Sequence, residues 1–442
     1  MTRKLVYILL GLSLTGYILI GYFLPRENFT QLIAVYASLF ISYFCLLRMK
    51  SEISLKEAIA AGLLFRFVLL FCLPALSDDI YRFLWDGRIY QSGINPFDFK
   101  PSEIIANSTD PFLQQLYPYL NSPDYYSVYP QLLQYFFRIA AEFGGSSILG
   151  GTIILKSIIL LFECGSIFLL IKLLHLKQSD PWSLLIYLIN PLVIIELTGN
   201  IHFEAVMIFF VLLTALLLYR SNFVVAIPAL TLAIQAKLIP LIAIPLLVKK
   251  YGLMKTCLFG LLCLFTLWIS SPLLWTGTDT LEHFFSSLSL YYGKFEFNGS
   301  LYSLFSAIGW WIAGYNPIWW VSKLMLLLTL TLFALIYYRK PEFLSGFFYL
   351  MSVYLLCSAV VHPWYLAILV ALAPFVPWRF PLAWSALIPL TYITYSVRPY
   401  QQNYWLVAME YAIVFAVLLY DLNRGGRLSI LPVSVSRDFK ES

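Results

Sequence analysis

The sequence predicts an all-α polytopic membrane protein, and three observations predict it. Of its 442 residues, 60% are hydrophobic and 12% charged, with a mean hydropathy of +0.79. A soluble domain carries about 25% charged residues. Apolar runs of about 20 residues, the length that crosses about 30 Å of hydrocarbon, recur along the whole chain. These runs are continuous. Backbone polar groups in lipid must be paired within the segment, so continuous runs mean helices, whereas a barrel would alternate apolar and polar positions.

Lysine and arginine at the ends of the runs set their direction. Arg3 and Lys4 place the N-terminus in the cytoplasm, ahead of a first span at 5–24. No small-residue cleavage pattern follows it, so this span reads as a retained helix and not a signal peptide. A second span at 29–47 returns to Arg48, Lys50 and Lys56, and a third at 58–76 exits again. Residues 77–150 hold no clean span. They read as a long first extracytoplasmic loop, with amphipathic pieces at 80–90 and 132–143 lying along the interface. Spans at 153–174, 182–197 and 203–219 follow.

The segment 223–248 is flanked by Arg220 on one side and Lys249 and Lys250 on the other, and Pro228, Pro240 and Pro245 interrupt it. A single span would put one basic end outside. A re-entrant hairpin with Lys237 near its turn keeps both ends inside. A span at 253–274 leads to a second extracytoplasmic loop, 275–300. The remaining spans fall at 318–338, 343–361, 364–377, 382–396 and 404–420. Arg424, Arg427, Arg437 and Lys440 then place the C-terminus in the cytoplasm. The expectation is one transmembrane domain over 1–442, with about twelve spanning helices plus the hairpin.

The net charge of +6 comes from clusters at helix ends, so nucleic acid is not implied. The six cysteines lie in apolar segments without CxxC spacing, which supports neither a disulfide framework nor a zinc site. No cofactor is implied.

One constellation carries chemistry. Ser77-Asp78-Asp79 opens a segment containing Arg82, Trp85, Asp86 and Arg88, which closes on Gly93-Ile94-Asn95-Pro96-Phe97. Adjacent carboxylates at a membrane surface repel each other and are costly. Asp78 or Asp79 could simply cap a helix starting at Ile80. Capping leaves unexplained why Arg82 and Asp86 follow at i+4 spacing on the same face. A positioned carboxylate with arginine neighbours suits an acceptor hydroxyl and an anionic donor.

This pattern resembles the GT-C superfamily, multi-spanning enzymes that use polyprenyl- or dolichyl-phosphate sugars. Within it, the chain is most similar to bacterial polyprenyl-phosphomannose-dependent mannosyltransferases, and more distantly to the GPI mannosyltransferase I catalytic subunit. The likeness runs on through Tyr129-Pro130, Asn190-Pro191, Glu196, Asn200, His202, Glu204 and Lys237. It ends in Phe297-Asn298-Gly299-Ser300-Leu301-Tyr302 and His362-Pro363-Trp364-Tyr365. Only the first-loop motif is fairly specific.

The resemblance implies a GT-C-like bundle in a bacterial plasma membrane, a polyprenyl-phosphate sugar donor and a glycan or glycolipid acceptor. It also implies a single inverting displacement with a catalytic base in the first outer loop. Spacing to Asn95-Pro96 favours Asp79 over Asp78, but the Asp-Asp pair departs from the Asp-x-Asp of some relatives and leaves both open. His362, Lys237, Arg82 and Arg88 are the candidates for the lipid phosphate. Asp86, Trp85, Glu196, Asn200, His202, Glu204, Tyr129, Asn298, Trp364 and Tyr365 are the candidates for acceptor or sugar. No metal site is assigned, although a divalent ion near Glu196, Asn200, His202 and Glu204 stays open.

A transporter, flippase or ligase of lipid-linked saccharides is the rival class. A transporter would show inverted repeats and charged residues at mid-membrane. The sequence shows no repeat, and its ionisable candidates gather at the outer face.

Overall fold

The computed structural model describes residues 2–277, 279–294, 296–315, 317–397 and 400–424. The basic tail positions Arg427, Arg437 and Lys440 lie outside the described residues. The architecture is all-helical, and among the described residues the sole β pairing is an isolated bridge between Phe297 and Val360. Among the described residues, six helices are long and apolar enough to cross a membrane: Thr2–Tyr22, Phe29–Arg48, Ile148–Leu176, Ile239–Ile269, Ile318–Arg339 and Tyr404–Asn423. A seventh arises if Pro181–Leu188 and Pro191–Gly199, bent by 50°, form one broken span. A further apolar helix, Leu301–Ala313, stands where the sequence suggested no element.

Side-chain contacts sort the loops into two poles. At one, Arg3 pairs with Glu57, Lys50 with Asp180, and Lys177 with Glu342, which also accepts from the Tyr219 hydroxyl. Lys250 donates to the Leu218 carbonyl at this pole. At the other, Arg26 pairs with Asp78, Glu204 with Lys237, and Asn95 donates to the Leu273 carbonyl. The segment 223–248 starts and finishes beside the first pole. Its Phe223–Ala236 helix stops at Lys237, which is extended.

The third helix is shorter than its apolar run. It starts at Leu55 under a capping box, in which Ser54 Oγ accepts from the Glu57 amide and Glu57 accepts from the Ser54 amide. It ends at Phe67 rather than near residue 76. Pro74 disfavours helix at the residue before it. The carbonyls released past the helix end need donors in an apolar interior. Lys156 supplies them, its Nζ lying 2.7 Å from Leu69 O and 2.8 Å from Cys72 O.

Charged groups are not confined to the outer end, which corrects the expectation. Lys156 and Glu163 lie inside the long apolar helix Ile148–Leu176, and both are fully buried. Glu163 pairs with buried Arg66 at 2.9 Å, and the Thr198 and Tyr187 hydroxyls also donate to it. Arg66 Nη1 donates to the Gly62 and Leu188 carbonyls. Charges in so apolar a place persist because each is bonded.

The two amphipathic pieces of the first loop form the helices Asp79–Gln91 and Gln131–Gly144. They do not simply lie along a surface, because they pack face to face and against Ile148–Leu176. Gly87 permits the approach: a Cβ there would stand 2.1 Å from the Phe137 carbonyl oxygen.

Candidate active site

Helix Asp79–Gln91 begins at the second pole and presents the acidic pair. Neither aspartate caps it. Asp78 occupies the N-cap position without a capping hydrogen bond, and the Asp79 amide instead donates to Ser77 Oγ at 3.3 Å. Asp78 is bonded to Arg26 at 2.7 Å, and Arg26 in turn lies over the Tyr395 ring at 4.7 Å. The Asp79 carboxylate accepts from Asn121 Nδ2 at 2.9 Å. Burial pushes the Asp79 carboxyl above the usual aspartate range, and Asp78 and Glu204 push the same way. The Asn121 hydrogen bond and the Lys237 charge pull it partly back. The carboxylate is therefore a stronger base than an exposed aspartate.

Lys237 and Glu204 stand within electrostatic reach of Asp79, and they are paired with each other. Local structure places both. Glu204 opens the helix Glu204–Tyr219, where a carboxylate suits the positive end, and Lys237 closes Phe223–Ala236, where a cation suits the negative end. Lys237 Nζ also lies 4.0 Å from the centroid of the Tyr365 ring.

Beside this pair runs an aromatic stack. His202 lies on Trp364 at 3.8 Å, Trp364 on His362 at 4.4 Å, and His362 on Phe297 at 4.8 Å. Pro363 opens the short helix Pro363–Leu366 and holds His362 extended before it. Burial, helped by Lys237, lowers the His362 pKa to about 3, so its ring is neutral at physiological pH. Burial also lowers His202. His202 Nδ1 lies 2.8 Å from the Glu196 carbonyl oxygen. A carbonyl can only accept, so Nδ1 carries the proton and Nε2 has the lone pair. That Nε2 is buried without a hydrogen bond.

The fold thus gathers Asp78, Asp79, His202, Glu204, Lys237, His362, Trp364 and Tyr365 from four stretches of sequence. The other candidates border this cluster or lie apart from it. Glu196 is enclosed, accepting from the Tyr36 and Tyr392 hydroxyls and from Asn200, whose Oδ1 accepts from the Leu76 amide. Asp86 is fully buried, bonded to Arg82 at 2.8 Å, to Ser127 and to Gln134. Arg82 also reaches the Ser122 and Tyr125 carbonyls. This network ties the helix Asp79–Gln91 to residues 122–134. Trp85 is fully buried against Tyr117, and Tyr129 packs edge-on to Phe83 and Phe137. Arg88 pairs with Asp110 at 2.6 Å. The Asn298 side chain turns to Glu410.

Sequence reading missed Arg26, Asn121 and Tyr395. Arg26 reads as an ordinary helix-end charge, and Asn121 and Tyr395 belong to no motif. No group of three His, Cys, Asp or Glu side chains suited to a metal ion occurs among the described residues.

Residues 19–251, over half the chain, match the family model described as "Alpha-(1->6)-mannopyranosyltransferase, N-terminal domain". The chain belongs to this family. The family region contains Asp78, Asp79, His202, Glu204 and Lys237, while His362 and Trp364 lie beyond it. Over 183 residues the chain is 26% identical to Alpha-(1->6)-mannopyranosyltransferase A of Mycobacterium tuberculosis, covering 41% of this chain and 34% of that protein. Over 182 residues it is 23% identical to the enzyme of the same name from Corynebacterium glutamicum, covering 41% and 36%. The match therefore spans only about a third of the length of these curated relatives. No solved structure matches the chain.

Proposed function

We propose that this chain is a membrane mannosyltransferase. It moves mannose from a polyprenyl-phosphate donor to a glycan or glycolipid acceptor at the extracytoplasmic face. Asp79 carries the reading: its carboxylate is bonded to a neutral amide and not a cation, its basicity is raised by burial, and it stands beside Lys237 and Glu204. Asp79 deprotonates the acceptor hydroxyl as that oxygen attacks the anomeric carbon, and the lipid phosphate departs. Asp78 is paired with Arg26, and its field adds to the burial that raises the Asp79 carboxyl. Lys237 and His362 bind the departing phosphate, Lys237 by charge and hydrogen bond, His362 as a neutral donor. The relatives' names carry an α-(1→6) linkage. An α product from one inverting displacement requires a β-configured donor.

The same reading puts the pole of Arg3, Lys50, Lys177 and Lys250 in the cytoplasm, with both termini there, in a bacterial plasma membrane. It keeps about twelve spans and the re-entrant hairpin at 223–248. The grouping of basic loops at that pole supports it.

The test is transfer itself. Purified protein in vesicles, given polyprenyl-phosphate mannose labelled in the sugar, should release mannose only into an added acceptor. Movement of lipid-linked mannose across the bilayer without transfer would replace this reading with a flippase.

A further inference from the structure

We infer that Glu410 is a positioning residue for the donor end of the site, acting through a clasp at Phe297 and Asn298 that fixes His362. The inference rests on the reading of His362 as a donor-phosphate group.

Glu410 lies inside the helix Tyr404–Asn423 and is fully buried. Its Oε1 accepts from Trp384 Nε1 at 2.8 Å and from Asn298 Nδ2 at 3.1 Å. Two neighbours on the same stretch hold the backbone of Asn298. The Asn298 amide donates to Gln402 Oε1 at 2.7 Å, and its carbonyl accepts from the Tyr411 hydroxyl at 2.6 Å. Asn298 has φ of 50°, a left-handed conformation that asparagine adopts more readily than most residues. One residue is thereby bonded at its side chain, amide and carbonyl by groups at 402–411.

What Asn298 fixes, Phe297 transmits. The Phe297 amide donates to Ala359 O at 3.0 Å, and its carbonyl accepts from the Val361 amide at 2.8 Å. These bonds clamp the strand-like stretch that ends at His362. The Phe297 ring then lies on the His362 ring at 4.8 Å and 26°. From His362 the stack continues to Trp364, at 4.4 Å and 3°. A neutral imidazole offers the phosphate one directed hydrogen bond, so its orientation matters more than a point charge's would. Loss of the Glu410 carboxylate leaves two buried N–H donors unpaired and releases the clasp's side-chain anchor.

Steady-state kinetics with polyprenyl-phosphate mannose as the probe tests this, with donor KM and acceptor KM measured separately. Glu410→Ala should raise the donor KM roughly tenfold, the scale of one lost anchoring hydrogen bond, and leave the acceptor KM near wild type. Glu410→Gln keeps an acceptor oxygen for both N–H groups and should restore the donor KM. In a His362→Ala background, Glu410→Ala should add little, because the two act in series. If His362→Ala raises the donor KM and Glu410→Ala does not, the clasp is wrong and the phosphate assignment stands. Equal losses in both KM values, or failure of Glu410→Gln to rescue, would make Glu410 a general packing residue. An unchanged donor KM in His362→Ala would remove the phosphate assignment and this inference with it.

Discussion

Arg26 holds Asp78 in an ion pair at 2.7 Å, and so two adjacent carboxylates are made chemically unequal. Asp79, one residue on, is half-buried and takes the Asn121 amide. The division of labour predicts unequal mutants. Asp79→Asn should cut transfer by about 10²–10⁴-fold while leaving folding and donor binding intact. Asp78→Asn should cost less, because it loses an ion pair and not the base. Measured kcat values of the two purified variants decide it, and a fully active Asp79→Asn enzyme would end the base assignment.

Asp79 must be ionised to accept a proton. Its carboxyl pKa lies above the usual aspartate range, so activity should fall as pH drops through a limb set above that range. The Asn121 hydrogen bond favours the ionised form. Asn121→Ala should therefore move the acid limb to higher pH. A pH profile of kcat/KM that is unmoved in this variant would detach Asn121 from the base.

Lys237 and Glu204 form a second charged pair within electrostatic reach of the base. Lys237→Ala should weaken binding of the polyprenyl-phosphate donor by about 1.5–3 kcal/mol, the value of a charge-assisted bond. Glu204→Gln frees Lys237 without removing it and should preserve donor affinity. Equilibrium binding with both variants separates a phosphate ligand from a purely structural ion pair, which would make the two substitutions equally harmless to the donor.

The pair Arg66–Glu163 tests the buried interior. Arg66→Met leaves Glu163 uncompensated and should destabilise the protein by about 3–5 kcal/mol. Adding Glu163→Leu should recover much of that loss. Thermal unfolding in detergent reads both, and a single variant as stable as wild type would show that the charge is not held as the geometry indicates.

Sidedness has a direct chemical readout. A single cysteine at Asn107, which is exposed, should react with an impermeant maleimide added outside cells, and one at Lys250 should not. Labelling of Lys250→Cys from outside would overturn the orientation and the hairpin at 223–248 together.

The sequence by itself determined the helical class, the apolar runs and the acidic motif ahead of Asn95-Pro96. Each is a local property: run length and continuity follow from the hydrocarbon thickness, and the motif is contiguous. Only the tertiary structure decided partners, because partners are set by packing between distant segments. It gave Asp78 to Arg26 and Asp79 to Asn121, which distinguishes two residues that look alike in sequence. It turned Asp86 and Arg82 inward to Ser127 and Gln134, since their shared helix face meets residues 122–134 and not solvent. It ended the third helix at Phe67 and let Lys156, nearly ninety residues away, supply donors to the carbonyls beyond, which hydropathy cannot register. It also brought Glu410 to Asn298 and Phe297 to His362, contacts between stretches that carry no shared pattern along the chain.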